Sequence, residues 1–238
     1  MTTQLLISVR SPEEARQAIA GGTDILDIKE PQHGSLGRAA DDVISSILAL
    51  ARGMLPVSVA LGELHRSPLP YPTADVQYQK VGLAHIGPAG WVAPFHELQK
   101  MIRPSLLVPV AYADADRAEG PSPFDVLPVL EQQNIRLMLI DTFIKDGRGL
   151  LHWMPTAVLR ELIRRARGQG IALALAGSLA ADQIGELLPL QPAILAVRGA
   201  ACRGQRRLQA IDQHRVEQLA RRVHGRPQST AHHPIEPK

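Results

Sequence analysis

Eight short apolar runs, rich in β-formers, recur along the chain at fairly regular spacing. They are Leu5–Val9, Ile25–Lys29, Leu55–Leu61, Tyr78–Leu83, Leu106–Ala113, Arg136–Thr142, Ile171–Gly177 and Ile194–Gly199. Most are almost continuously apolar, as strands covered on both faces must be. Segments with helical marks lie between them, and strand–helix alternation implies parallel strands joined by right-handed crossovers. Eight such strands within residues 5–199 suit a closed barrel better than the alternative, an open doubly wound sheet. The predicted fold is therefore α/β: a single-domain (β/α)8 TIM barrel over residues 1–224, followed by a disordered tail over residues 225–238.

Local signals support this. Ser11-Pro12-Glu13-Glu14 supplies an N-cap, a proline at the first helical position and a capping-box glutamate. Gly21-Gly22 ends that helix, where positive φ lets the chain reverse. Thr156–Gln169 reads as a second helix, stopped by Gly170, and Pro123–Gln133, Ala180–Leu188 and Asp212–Val223 are further candidates. Gly62 to Asp75 carries three prolines and reads as loop, so the third helix is expected to be short or missing. From Gly225 the chain is rich in Pro and His without periodicity, as a solvated tail would be, His232-His233 included.

Composition bounds the function. The chain has 238 residues, close to the roughly 250 typical of such barrels, and 45% are hydrophobic while only 3% are aromatic. The core must then be built from Leu, Ile, Val and Ala. A net charge of +3, with much of the arginine in apparent helices, argues against a dedicated nucleic-acid role. One cysteine, Cys202, excludes an internal disulfide and a Cys-rich zinc site, and reads as a packing residue. The amino terminus lacks the marks of a signal peptide, and no apolar run approaches the roughly 20 residues that cross a bilayer. A cytoplasmic protein with no membrane partner is expected. No metal-ligand spacing stands out, so neither a metal nor an organic cofactor is expected.

In barrels of this kind, reactive groups come from the carboxyl ends of the strands and the loops that follow. The second run, Ile25-Leu26-Asp27-Ile28-Lys29, places Asp27 and Lys29 on one face and Leu26 and Ile28 on the other. The apolar pair should meet the helices, so the charged pair should face the barrel interior. A buried structural salt bridge would explain them. So would a lysine whose pKa is lowered by desolvation and neighbouring cations, ready to attack a carbonyl. The sixth run is apolar until Asp141, with Lys145 four residues on, although Lys145-Asp146-Gly147-Arg148-Gly149 also reads as an ordinary polar loop. Lys80 lies in the fourth run, and a closed barrel has no edge to which it could be assigned. Lysines at the ends of the second, fourth and sixth strands would converge on one cavity.

Glycine-rich turns follow the same strand ends. Gly34-Ser35-Leu36-Gly37 comes after the second strand, Gly177-Ser178 closes the seventh and Arg198-Gly199-Ala200 closes the eighth. Loops seven and eight commonly cradle phosphate, because backbone N–H groups and a helix amino terminus favour an anion. Gly177, Ser178, Arg198, Gly199 and Ala200 are therefore predicted to bind a substrate phosphate. Asp114 and Asp116, after the fifth strand, read as helix caps in preference to lysine orienters.

An ordered set of blocks carries a resemblance. It runs through Gly22-Thr23-Asp24-Ile25-Leu26-Asp27-Ile28-Lys29-Glu30-Pro31, Gly34-Ser35-Leu36-Gly37 and Lys80-Val81-Gly82-Leu83. It continues with Ala111-Tyr112-Ala113-Asp114-Ala115, Leu139-Ile140-Asp141-Thr142 with Lys145-Asp146-Gly147, Leu175-Ala176-Gly177-Ser178-Leu179 and Val197-Arg198-Gly199-Ala200-Ala201-Cys202. Together these blocks, spanning about residues 5 to 223, resemble the (5-formylfuran-3-yl)methyl phosphate synthases. The resemblance implies a cytoplasmic lyase of one-carbon metabolism. It would join two molecules of glyceraldehyde 3-phosphate, with loss of phosphate and water, in making the furan of methanofuran-type carriers. It implies Lys29 as the Schiff-base lysine, with Asp27, Lys80, Asp141 and Lys145 as the other catalytic residues. It also allows a homo-oligomer, since barrels of this family commonly associate. The sequence departs from the family in a shorter, proline-richer connection from the third strand to the fourth. Two other readings stand beside it: another class I aldolase of phosphotrioses using Lys29, and a non-catalytic barrel that binds a phosphorylated metabolite.

Overall fold

A computed structural model describes residues 2–66, 75–103 and 107–225. Eight parallel strands close into a barrel in sequence order, with β8 paired back to β1. They are β1 (Gln4–Val9), β2 (Ile25–Ile28), β3 (Val57–Glu63), β4 (Tyr78–Gly82), β5 (Leu107–Tyr112), β6 (Leu137–Asp141), β7 (Ala172–Leu175) and β8 (Ile194–Val197). Each apolar run of the sequence became one strand, trimmed by a residue or more at most ends.

The helices are α1 (Pro12–Ala20), α2 (Asp41–Ala51), α3 (Val92–Met101), α4 (Ala115–Ala118), α5 (Pro123–Gln132), α6 (Leu150–Trp153), α7 (Thr156–Gly168), α8 (Gln183–Leu187) and α9 (Gln213–His224). Helices α2 and α3, which are not among the helix candidates of the sequence, begin without a side-chain N-cap. Between β3 and β4 the described residues hold only a 3-10 turn, Leu64–Arg66; residues 67–74 of the proline-rich connection lie outside the described part. So does the predicted tail beyond Gly225. Among the described residues, no helix is long and apolar enough to cross a membrane.

The N-cap of α1 is as read, with Ser11 Oγ accepting from Glu14 N–H at 3.2 Å, but the Glu14 carboxylate accepts from Arg10 N–H at 3.0 Å and so does not complete the expected capping box. The paired glycines behind it do two different jobs. Gly22 takes φ +86, whereas a Cβ on Gly21 would sit 2.5 Å from Val216 Cβ, so Gly21 is where α9 presses against α1.

Period-two alternation sorts the strand residues into two apolar layers. Leu26 and Ile28 join the shell between barrel and helices, as the sequence required. Leu6, Ile25, Val108, Val110, Leu139, Ala174 and Ile194 fill the barrel's interior. Above that plug the inward positions change character. Ser8 of β1 is level with Asp27 of β2, and Tyr112 of β5 is level with Asp141 of β6. The polar layer therefore sits at the carboxyl end, where a closed barrel opens to solvent.

Candidate active site

That layer lines a cavity of about 370 Å3 whose walls include Asp27, Lys29, Lys80, Asp141 and Lys145. The five residues come from strands or loops two, four and six, and all but Lys145 are buried. The structure brings them together, but with different partners from those their sequence spacing suggested.

Asp27 pairs with Lys80, not with Lys29. Lys80 Nζ lies 2.6 Å from Asp27 Oδ1, while Ser8 Oγ donates to Oδ2 at 2.8 Å. One ammonium contact does not exhaust a carboxylate oxygen, so Oδ1 keeps lone-pair capacity. Burial alone would raise the Asp27 pKa. Lys80, then Lys29, outweighs it and holds the carboxyl below its ordinary value.

Asp141 and Lys145 do pair. Lys145 Nζ donates to Asp141 Oδ1 at 2.5 Å and to Thr142 Oγ1 at 3.0 Å, and Thr142 N–H donates to the same carboxyl oxygen at 2.7 Å. Asp141 is also fully desolvated, and again the neighbouring lysines, Lys145 before Lys29, keep it ionised.

Lys29 stands apart. Its backbone is fixed by a bond from its N–H to Val9 O at 3.1 Å, and its amine reaches only Ser35 O, at 3.4 Å. Among the described residues, no carboxylate lies within ion-pair distance of it. Desolvation lowers its pKa from 10.5 to about 8; the more distant Asp141 and Asp27 oppose this, and Lys80 and Lys145 reinforce it. Of the three amines it is the one without direct contact to a carboxylate among the described residues.

Two residues support the site in ways their sequence positions did not show. Ser35 Oγ lies 2.9 Å from Thr142 O and 2.8 Å from Phe143 O, tying loop two to loop six across the barrel mouth. Asp114 does not cap α4, as expected, but receives Phe143 N–H at 2.6 Å and Ile144 N–H at 3.1 Å. Its carboxylate thus shapes the loop that presents Lys145. Short-range spacing could not reveal this, because its targets lie 29 and 30 residues away. At the carboxyl ends of β3 and β5, Tyr112 donates to Glu63 Oε1 at 2.5 Å; desolvation raises the pKa of that carboxyl.

The predicted phosphate-binding residues Gly177, Ser178, Arg198, Gly199 and Ala200 all line the same cavity. Gly177 takes φ +102, and a Cβ there would lie 3.1 Å from Thr142 Cγ2; Ser178 follows in the left-handed region at φ +51. The helix expected to open at Ala180 begins only at Gln183, behind the capping side chain of Asp182, so loop seven offers an anion its backbone and no helix end. The Arg198 side chain is also not free for phosphate. Its five N–H donors meet Arg207 O, Ser8 O, both carboxyl oxygens of Glu14 and Gln209 O. The capping-box glutamate is accordingly spent on Arg198 and Arg10. Cys202 is fully buried in the core shell, as predicted.

Fold and site together define a (β/α)8-barrel enzyme with a lysine–carboxylate centre at the carboxyl end of its strands. Comparison with known proteins narrows this. Residues 5–220 match the model of the family described as 4-HFC-P synthase. The (5-formylfuran-3-yl)methyl phosphate synthase of Methanocaldococcus jannaschii is 33% identical over 230 residues, covering 90% of this chain and 97% of its own. That of Methanococcus aeolicus is 32% identical over 232 residues, covering 91% and 98%. The chain belongs to the (5-formylfuran-3-yl)methyl phosphate synthase family. Solved structures agree on the fold alone. The 3-hexulose-6-phosphate synthase of Salmonella typhimurium aligns at TM-score 0.62 and 13% identity, over 93% of this chain and 98% of that one. Thiamine phosphate pyrophosphorylase of Pyrococcus furiosus aligns at 0.60 and 16%, over 93% and 95%.

Proposed function

We propose that the chain is a carbon–oxygen lyase that joins two molecules of glyceraldehyde 3-phosphate into (5-formylfuran-3-yl)methyl phosphate. Phosphate and water are lost, and the reaction proceeds through an imine at Lys29. The product would supply the furan of methanofuran-type one-carbon carriers. One observation carries the covalent role: Lys80 and Lys145 each lie against a carboxylate, whereas Lys29 is a buried amine without one, its pKa near 8. A neutral amine is the nucleophile in imine formation, and burial is what supplies it near neutral pH.

The chemistry follows from that amine. It adds to the aldehyde carbon of one triose, and water leaves as the iminium forms. The iminium draws electrons from the adjacent C–H bond, whose proton passes to a carboxylate. Asp27 Oδ1, with unused lone-pair capacity, suits that task. The electron pair left on carbon then either expels phosphate from the next carbon or attacks the aldehyde carbon of the second triose. Asp141 and Lys145, joined at 2.5 Å, form a proton donor–acceptor pair for ring closure and dehydration. Hydrolysis of the imine returns Lys29.

Incubation with glyceraldehyde 3-phosphate tests this reading. The expected result is a product absorbing as a conjugated furan aldehyde, with inorganic phosphate released. A ketose or hexose phosphate formed without phosphate release would make the protein a simple class I aldolase. Absence both of turnover and of a borohydride-reducible adduct would make it a binding barrel.

A further inference from the structure

We propose that Arg207, on the connection between β8 and α9, is the guanidinium that grips the substrate's phosphate, and that Arg198 is the positioning residue that presents it. Arg207 lines the cavity with Gly177, Ser178, Gly199 and Ala200, on the side formed by loops seven and eight. Its Nη2 donates to Gly34 O at 3.0 Å, a single bond reaching 173 residues back across the barrel mouth. Nε and Nη1 make no hydrogen bond to the described residues, so the planar fork keeps most of its donors for a ligand. Arg198, all five donors spent, holds the Arg207 carbonyl at 2.7 Å through Nε and so fixes where the neighbouring side chain emerges.

Charge supports the same assignment. Arg198 is offset by Glu14, which leaves Lys29, Lys80, Lys145 and Arg207 facing Asp27 and Asp141 in the cavity. With Lys29 protonated, four cations against two carboxylates leave an excess of two, the charge of a phosphate monoester dianion; with Lys29 neutral the excess is one and still favours an anion. A phosphate placed between Arg207 and the Gly177–Ser178 and Gly199–Ala200 turns would receive guanidinium and backbone donors together, and a bidentate guanidinium contact is the strong form of that interaction. Binding would exchange the Gly34 carbonyl for a charged acceptor and so couple phosphate capture to loop two, which begins at Lys29. The inference that this anion belongs to an aldehyde reacting at Lys29 rests on the function proposed above; the anion site itself does not.

Two measurements on Arg207→Met, with Arg206→Met as an exposed neighbouring control, test the assignment. In calorimetric titration with inorganic phosphate, wild type and Arg206→Met are expected to bind alike and Arg207→Met about 10- to 100-fold more weakly. In borohydride trapping at Lys29, the half-saturating concentration of glyceraldehyde 3-phosphate should rise by a similar factor in Arg207→Met, while that of unphosphorylated glyceraldehyde stays unchanged. Arg207→Lys should recover part of the loss, since it keeps the charge and loses the fork. Equal phosphate affinity in wild type and Arg207→Met, no phosphate binding by wild type, or an equal loss for both aldehydes would overturn the proposal. If wild type makes no furan or adduct yet the phosphate titration separates the variants as stated, the synthase reading fails and the Arg207 site stands.

Discussion

At the scale of single residues, the centre works by unequal treatment of three like amines. Lys80 and Lys145 each lie against a carboxylate, while Lys29 is desolvated without one, so three like amines of one cavity are not chemically alike. Lys29→Arg should abolish borohydride trapping, because a guanidinium stays protonated and forms no imine; peptide mass mapping of the reduced adduct checks this. Retained trapping in that variant would move the nucleophile, most directly to Lys145. A pH prediction follows from the same residue. Its pKa is lowered to about 8, so the neutral amine grows as pH rises through 8, from roughly a tenth at pH 7 to about half at pH 8. The initial rate of trapping at low aldehyde concentration should rise along that curve. A midpoint near the ordinary lysine value would mean that Lys29 is not the trapped amine.

At the scale of elements, the strand ends are rigid and the loops are made rigid by one another. Asp114, from the end of β5, receives two backbone N–H groups of the loop after β6, and Ser35 meets two of its carbonyls from the loop after β2. Lys145 is thereby placed by residues far from it in sequence. Asp114→Asn keeps the shape but removes the charge and one of the two acceptor oxygens, turning an NH2 toward a backbone N–H. Hydrogen bonds to charged groups contribute about 1.5–3 kcal/mol each, so losing one should lower kcat by about 10- to 100-fold. Steady-state turnover read beside thermal unfolding checks this. A fall in activity fully explained by unfolded protein would deny Asp114 its positioning role. The element scale is also where sequence reading was weakest. It saw Asp114 as a helix cap because aspartate after a strand commonly is one, and the true partners lie on the next strand's loop. Helices α2 and α3, both without a side-chain cap, were not among its helix candidates.

At the scale of the whole molecule, barrel closure and site construction share one network. Arg198 leaves β8, donates to Ser8 O at the end of β1 and pairs with Glu14 of α1, so it rivets the seam where the last strand meets the first. Arg198→Met would leave the buried Glu14 carboxylate with only Arg10 and free the Ser8, Arg207 and Gln209 carbonyls. Breaking one side of a buried ion pair costs about 3–5 kcal/mol, so even the lower figure should lower Tm by roughly 6–12 °C. Differential scanning calorimetry of the variant checks it; an unchanged Tm would show that the seam does not depend on this arginine.

The sequence by itself determined the barrel, because eight two-faced apolar strands separated by helices have few other ways to bury themselves. It also determined which residues enter the barrel: alternation with Leu26 and Ile28 forces Asp27 inward, and the charges late in the second and sixth runs, Lys29 and Asp141, mark the open end. It could not determine which partner each charge takes. Asp27 and Lys29 are two apart and share a face, yet the nearer ammonium in space is Lys80, from a strand that is not even adjacent. Strand tilt and side-chain reach set such distances, and neither is written in local spacing. The same limit made Arg198 look like a phosphate ligand: only the closed structure shows the Glu14 carboxylate and three backbone carbonyls consuming it. Tertiary structure thus decided the division of labour, setting two lysines against carboxylates, leaving Lys29 without one, and consuming every donor of Arg198 while Arg207 beside the same cavity makes a single bond among the described residues.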